Sequence, residues 1–221
     1  MIKHFLLVLS FVGQFSCNEK IVQLPETSNK SITEVLDVSP AYLFYDEAQD
    51  SIQFNRKNLI GTTNWLVNVD KRLTLKQAMP HIIYLQNKRK KSGMHKNESA
   101  RNYFSCSNTE IKNLAFIDFT NVEYIMGDES QLTKGVKSCK LIFSNPNDIE
   151  IVFPDKNMTS DTNNFMDFLK NEPAIANEGS WMLFLAFNEN LKFQDYINLK
   201  SKMLEMDLNT ITISKTELIY N

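Results

Sequence analysis

The sequence predicts an α/β (α+β) fold of two small two-layer modules, each a mixed sheet with helices packed on one face. The stretch Trp181–Tyr220 runs from a continuous apolar segment through a helix-period segment to an alternating segment, which is the order strand–helix–strand. The same order appears earlier, between Trp65 and Ile125, interrupted by a polar insert. Each copy is therefore expected to form one βαβ unit, in which a right-handed helical crossover joins two parallel strands.

Composition supports a folded chain with no nucleic-acid partner. The 221 residues are 43% hydrophobic and 23% charged, which is enough apolar material for one large or two small domains. The formal charge of −2 leaves no basic footprint of the kind that nucleic-acid-binding proteins carry.

Residues 1–17 are predicted to be a secretory signal peptide. Lys3 and His4 give a positive start, and the apolar core Phe5–Val12 is shorter than the roughly 20 residues that span a bilayer. A transmembrane anchor or a buried strand remains the alternative. A Cys directly after such a core resembles the bacterial lipoprotein pattern, and Ser16 before Cys17 resembles that of Bacteroidetes lipoproteins. The resemblance implies that Cys17 carries the lipid, although Gln14 and Phe15 depart from the usual residues.

The other two cysteines are a candidate pair. Three Cys is an odd count, so lipid on Cys17 would leave Cys106 and Cys139. An exported chain reaches an oxidising compartment, and we therefore predict a Cys106–Cys139 disulfide. The alternative is two unpaired, small hydrophobic side chains.

The rest of the chain divides into three predicted parts. Residues 18–38 are polar without a sustained period and are expected to be a flexible tether. Residues 39–127 form the first module and residues 128–221 the second. The boundary is placed at the polar segment that follows Gly127.

In the first module a hairpin and a strand precede a helix. Thr74 and Gln77 fit a capping box, and Pro80 either kinks the helix or delays its start. The residues after the helix, up to Lys112, are polar and are expected to be an insert. The predicted strands are Ala41–Glu47, Ile52–Phe54, Trp65–Val69 and the closing strand Leu114–Phe119.

The basic run Asn87–Lys96 has two interpretations. It either contacts an anionic surface, such as lipid headgroups or a cell-wall polymer, or ends the helix in solvent, where cations complement the helix dipole. The second interpretation is favoured because acidic residues predominate elsewhere.

The second module begins with the clearest hairpin in the chain. Asp161 is expected to cap a short helix, and another helix is expected to begin at Asn190 or Lys192. The predicted strands are Leu141–Ser144 and Ile149–Phe153 in the hairpin, the apolar run from Trp181, and a last strand that starts at Ile211.

The two halves match each other in pattern. Val69–Gln77 aligns with Phe187–Asp195, and Ile117–Ile125 aligns with Ile211–Ile219, which places Glu123 on Glu217. A duplicated unit is the interpretation that this alignment favours.

The element order of the second half resembles the periplasmic domain of the ExbD/TolR family of biopolymer transport proteins. The residues that carry the resemblance are 183–213, LFLAFNENLKFQDYINLKSKMLEMDLNTITI, and more loosely 67–85, VNVDKRLTLKQAMPHIIYL. Asp70 stands where the family places an Asp, and Asn188 takes that place in the second copy. Members that couple to proton flow carry an acidic residue in a membrane helix, whereas residues 1–17 contain neither an acid nor a full span.

No motif in the sequence predicts a catalytic, metal or cofactor site. His81 and His95 are isolated, and Asp70 is better explained as a loop residue at a helix start than as a catalytic acid. The sequence therefore predicts a non-enzymatic, lipid-anchored protein of the cell envelope that binds or assembles within a transport or envelope complex. Two alternatives stay open, an exported enzyme with a site built from scattered residues and a lipoprotein of unrelated fold.

Expected partners follow from the same interpretation. They are the membrane, reached through the N-terminal lipid, and envelope proteins or a cell-wall polymer. A second copy of the chain is also expected, because open sheet edges can pair.

Overall fold

The computed structural model describes residues 20–91, 97–128, 132, 137–172, 175, 180–205 and 210–221. These residues form two mixed sheets of six strands each and three helices. The predicted fold class is therefore confirmed.

The first unit is built on the sheet order β3-β2-β4-β5, with β6 antiparallel and β1 parallel to β5. Strands β2, β4 and β5 are parallel to one another, and β3 is an antiparallel edge strand. Its elements are β1 (Glu26–Thr27), β2 (Val38–Asp46), β3 (Ser51–Asn55), β4 (Asn64–Val69), α1 (Leu75–Lys90), β5 (Asn102–Asn108) and β6 (Asn113–Asp118).

The second unit has the sheet order β10-β9-β8-β11-β12-β7. Strands β8, β11, β12 and β7 are parallel, and β9 is antiparallel to both β8 and β10. Its elements are β7 (Glu123–Gly127), β8 (Ser138–Asn145), β9 (Asp148–Val152), β10 (Asn157–Ser160), α2 (Phe165–Asn171), β11 (Trp181–Asn188), α3 (Phe193–Leu204) and β12 (Ile211–Tyr220).

Local sequence signals located most of these elements. Both hairpins and both long helices lie where the sequence predicts them. The Thr74–Gln77 capping box is present, and α1 begins at Leu75 and continues through Pro80. The N-cap of α2 is Asn164 and not the predicted Asp161, whose side chain accepts the backbone N–H groups of Asn163 and Asn164 in the turn before the helix.

Strand β5 is the main correction to the sequence prediction, which treated its residues as an insert. It is the parallel partner of β4, whereas the expected partner, β6, is antiparallel to β5. The sequence pattern does not indicate a strand here, because the polar residues Asn102, Ser105 and Asn108 are buried in it together with Tyr103 and Phe104. The alignment of Glu123 with Glu217 is therefore wrong. The ladders pair Val67 with Phe104 and Leu185 with Glu217, while Glu123 lies in β7.

The prediction of a flexible tether is wrong for the described residues of the segment 18–38. Strand β1 pairs with β5, and the backbone N–H of Phe116 donates to the carbonyl of Ile32. The Thr27 and Ser201 hydroxyl oxygens are 2.7 Å apart and buried. The segment is therefore held in place, by backbone hydrogen bonds to the first unit and by this side-chain contact to the second.

The predicted module boundary after Gly127 would assign β7 to the first module, but β7 belongs to the second sheet. Residues Glu123–Gly127 pair in parallel with Thr216–Tyr220 of β12. The change from the first sheet to the second thus occurs between β6 and β7, and no more than the short segment 119–122 connects them.

The two units meet at their helix starts. Thr74 and Lys192 form an antiparallel bridge. The backbone N–H of Leu75 donates to Leu191, and that of Phe193 donates to Leu73, at 2.9 and 2.7 Å. These bonds are reciprocal, so the two loops that the sequence aligns lie side by side around a local pseudo-two-fold axis.

A single hydrophobic core continues through this junction. Phe104 of β5 stacks on Phe119 with 3.9 Å between ring centroids. It also meets Phe193 and Tyr196 of α3 edge to face. Both units therefore contribute side chains to the same core. None of the helices in the described ranges has the length and apolar character needed to cross a membrane.

Candidate functional site

Asp70 is held as a structural residue at the end of β4. Its side chain is fully buried and accepts Nε and Nη2 of Arg72, both at 2.9 Å. It also accepts the backbone N–H groups of Arg72 and Gln23. Burial favours the neutral acid, but these hydrogen bonds outweigh it and hold the pKa of Asp70 below its usual value. The carboxylate thus joins the N-terminal segment to the start of α1.

A second buried carboxylate lies inside the second unit. Glu217 of β12 is 1% exposed and accepts the hydroxyl of Tyr196 at 2.8 Å and the ammonium of Lys200. The hydroxyl of Tyr124 is 2.9 Å from that of Tyr196 and donates to it, because Tyr196 uses its only proton on Glu217. Burial and the charge of Glu217 raise the pKa of both tyrosines well above 10. This chain connects β7, α3 and β12.

Arg89 is the buried cation of the first unit. Its guanidinium lies over the Trp65 ring, 3.9 Å from the ring centroid, and its Nε donates to Asn102 Oδ1 at 2.6 Å. Burial lowers the pKa of Arg89 to about 10. The end of α1 is thereby fixed to β4 and β5.

The predicted disulfide is absent from the structure. Cys106 lies in β5 of the first sheet and Cys139 in β8 of the second, and both are buried free thiols. Burial raises the pKa of each thiol to about 12, so neither has the thiolate character of a reactive cysteine. The predicted lipid attachment at Cys17 and the position of His95 lie outside the described residues.

His81 faces an aromatic cluster on the outer side of α1. Its ring centroid is 4.8 Å from that of Phe54, and Arg56 lies 4.3 Å from the centroid of the Tyr84 ring. Burial and the charge of Arg56 lower the pKa of His81. The described residues include no group of three or more His, Cys, Asp or Glu side chains that could hold a metal ion.

An open, largely apolar depression lies beside this cluster, between α1 and the segment 56–63. It is a groove of about 680 Å³, which we call the α1 groove. Its walls are the apolar side chains of Leu59, Trp65, Pro80, Ile83 and Tyr84.

The remaining lining of the α1 groove is polar and basic. Gly61 lies on the side of the segment 56–63, and Asn87, Lys88 and Lys91 lie on the side of α1. Within the described ranges neither lysine side chain makes a hydrogen bond or ion pair. The groove therefore combines an apolar floor with two uncommitted positive charges.

Sequence reasoning found these residues only in part. It assigned Lys88 and Lys91 to a basic run, but it did not connect that run with the apolar side chains of the groove. Tyr84, 42% exposed, and Ile60, 56% exposed, are large apolar residues in solvent. The sequence signal was the apolar pair Leu59-Ile60 inside an otherwise polar loop.

Comparisons with known proteins add no assignment. No protein-family model, curated protein sequence or solved structure matches this chain.

Proposed function

We propose that the chain is a non-enzymatic, lipid-anchored cell-envelope protein that binds a partner protein through the α1 groove and so takes part in a transport or envelope complex. The observation that carries this proposal is the groove itself, an apolar surface that no described segment of the chain covers. A contiguous exposed apolar patch with a polar rim is typical of a protein-binding site.

The buried ionisable groups support binding rather than catalysis. Asp70, Glu217 and Arg89 each hold together two or more elements of the fold, and each already has hydrogen-bonded partners. The α1 groove contains apolar and basic side chains but no carboxylate. Its chemistry suits recognition of an apolar, acidic surface.

The groove variant Tyr84→Glu tests the binding role. Tyr84 is 42% exposed, so the substitution places a charge in the groove and leaves the core intact. Ile111→Glu is a matched control, because Ile111 is 40% exposed and does not line the groove. Envelope membranes of the native host are extracted in mild detergent, and the size of the complex that contains each variant is compared on native gels. We expect Tyr84→Glu alone to release the chain from a larger complex, and equal migration of all three proteins would contradict the proposal.

The lipid anchor is tested separately. Cells are labelled with palmitate, and the unaltered chain is compared with Cys17→Ala. We expect label in the first and none in the second, while an unlabelled native chain would refute the anchor without affecting the groove.

A further inference from the structure

The two units share the same arrangement of central strands and long helix. A helix that covers this arrangement in the second unit has no counterpart among the described residues of the first. Val69 pairs with Leu43 in the first sheet as Phe187 pairs with Phe143 in the second. Thr74 and Lys192 pair with each other, and each directly precedes the first residue of its helix, α1 or α3. Counted from this pair, Tyr84 on α1 corresponds to Lys202 on α3.

In the second unit a helix covers the sheet beside α3. Phe165 of α2 is fully buried and meets Phe143 edge to face at 5.8 Å, and Leu169 of α2 is also fully buried. Phe143 in turn stacks on Phe187, which contacts Tyr196 of α3, so α2 and α3 lie on the same face. The ammonium of Lys202 donates to the carbonyl of Thr162, just before α2, at 2.6 Å.

In the first unit no such helix is present among the described residues. Strand β3 connects to β4 through the short segment 56–63. Tyr84, the counterpart of Lys202, lies instead in the wall of the open α1 groove. The groove is therefore on the side of α1 that corresponds to the α2 side of α3.

We propose that the α1 groove binds one amphipathic helix of a partner protein, with two apolar side chains one turn apart and acidic groups beside them. The proposal deepens the proposed function and rests on it. The example for the apolar side of this occupant is α2 itself, in which Phe165 and Leu169 are four positions apart and buried, whereas Asp167 lies on the opposite, exposed side. The acidic groups of the occupant are inferred from the cations Lys88 and Lys91. Residues four apart lie on one face of a helix, so both apolar groups can enter the groove together.

Size and charge fit this occupant. The volume of about 680 Å³ lies within the range of about 300–1,000 Å³ that is usual for pockets that bury a small molecule, which leaves room for a few side chains of a helix but not for the helix itself. Lys88 and Lys91 line the groove without ion-pair partners among the described residues, and Arg56 lies over the Tyr84 ring. These three cations favour an acidic helix over a neutral or basic one.

A membrane surface fits the groove less well than a helix does. Anionic headgroups would be attracted to Lys88 and Lys91, but the apolar side chains of Leu59 and Trp65 line a concave surface. Trp65 is only 2% exposed, so it forms a floor and cannot project into a lipid layer. Helix-in-groove binding is the mode that uses such a concave apolar floor.

The test uses the chain's own α2 sequence as a probe on the full-length protein. The probe is a fluorescent peptide of residues 160–172, SDTNNFMDFLKNE, which has three acidic residues and one lysine. An all-hydrocarbon staple joins positions 164 and 168, which are exposed in α2, because a peptide this short is a marginal helix in water. Binding is measured by fluorescence anisotropy.

We expect saturable binding that two different groove substitutions weaken by about tenfold or more. Tyr84→Glu adds a charge to the wall. Gly61→Phe places a ring in the groove, and a Cβ added at Gly61 meets no atom within 4 Å, so the backbone there accepts a side chain. Ile111→Glu should bind the peptide as the unaltered chain does. A peptide with serine in place of Phe165 and Leu169 should not bind.

Three results would overturn the proposal. They are equal binding of the serine-substituted peptide, equal binding by Tyr84→Glu and Gly61→Phe, and no binding of the peptide to the unaltered chain. In the last case, binding of phosphatidylglycerol vesicles through Lys88 and Lys91 would assign the surface to a membrane. If Tyr84→Glu disrupts the native complex while the peptide fails to bind, a partner occupies the groove but is not a helix of this kind. In that case the proposed function stands and this inference fails.

Discussion

At the residue scale, the polar groups buried in this protein act as connectors between elements. Glu217 and Lys200 are the clearest case, because their side chains are 1% and 12% exposed and pair with each other between β12 and α3. A buried ion pair contributes little when it is intact, but breaking it leaves an unpaired charge in an apolar surrounding.

A double-mutant cycle at this pair tests that role. Glu217→Gln should lower the free energy of unfolding by about 3 kcal/mol, because Lys200 loses its counter-charge and a neutral amide replaces the charged acceptor of Tyr196. Adding Lys200→Met should recover a large part of this loss, since no charge is then left unpaired. Urea unfolding of the four proteins measures the coupling, and additive effects of the two substitutions would show that the pair is not buried as described.

The two thiols predict a pH dependence. The pKa of each is raised from its ordinary value of 9.0 to about 12 in the folded chain, because burial disfavours the thiolate. The unfolded chain therefore loses these protons first as the pH rises, so the thiols stabilise the fold below pH 9 and this contribution declines between pH 9 and 12. The decline is about 1 kcal/mol per thiol for each pH unit.

Urea unfolding of the native chain and of the Cys106→Ala/Cys139→Ala variant at pH 8, 9 and 10 checks this decline. The variant should show the shallower fall with pH. Parallel slopes for the two proteins, or a disulfide found by non-reducing mass spectrometry, would contradict the assignment of two buried free thiols.

At the element scale, the sequence predicted the elements with a simple local signal and missed those that depend on tertiary contacts. The capping box at Thr74 and the turn between β8 and β9 are local, so they located α1 and the second hairpin. Strand β5 was missed because Asn102 and Asn108 are satisfied by distant partners, the Arg89 side chain and the Asn29 carbonyl. The α1 groove was missed for the same reason, since its two walls are separate segments of the chain.

Strand β5 should therefore behave as a core element. Phe104→Ala removes a ring that is 1% exposed and packs on Phe119, Phe193 and Tyr196. We expect it to lower the free energy of unfolding by about 3–5 kcal/mol. Leu114→Ala in β6 is the control, because Leu114 is 40% exposed and its truncation should cost less than about 0.5 kcal/mol. Similar losses for both variants would contradict the central position of β5.

At the scale of the whole molecule, the two units form one body around the bridge between Thr74 and Lys192. Neither unit is complete without the other, because the two share a hydrophobic core and the N-terminal segment packs against both. The main difference between the units lies beside their long helices. In the second unit α2 covers the sheet next to α3, whereas in the first unit the α1 groove is open.

Tryptophan fluorescence tests whether the body unfolds as one. The sequence has two Trp, with Trp65 in β4 of the first unit and Trp181 in β11 of the second. The variants Trp65→Phe and Trp181→Phe therefore each report on one unit. We expect each variant to show one urea transition, with the same midpoint by fluorescence and by circular dichroism. A fluorescence midpoint that departs from the circular dichroism midpoint would show that the units unfold independently.

The most direct test of the central claim, that a partner protein occupies the α1 groove, is photo-crosslinking in the native host. A photoreactive benzoyl-phenylalanine takes the place of Tyr84 in one version of the chain and of Ile111 in another, both of which are exposed positions. Irradiation should join the Tyr84 version to one discrete protein, and the Ile111 version should give no such product. If the Tyr84 version yields no adduct, or the two versions yield the same adducts, the claim is contradicted.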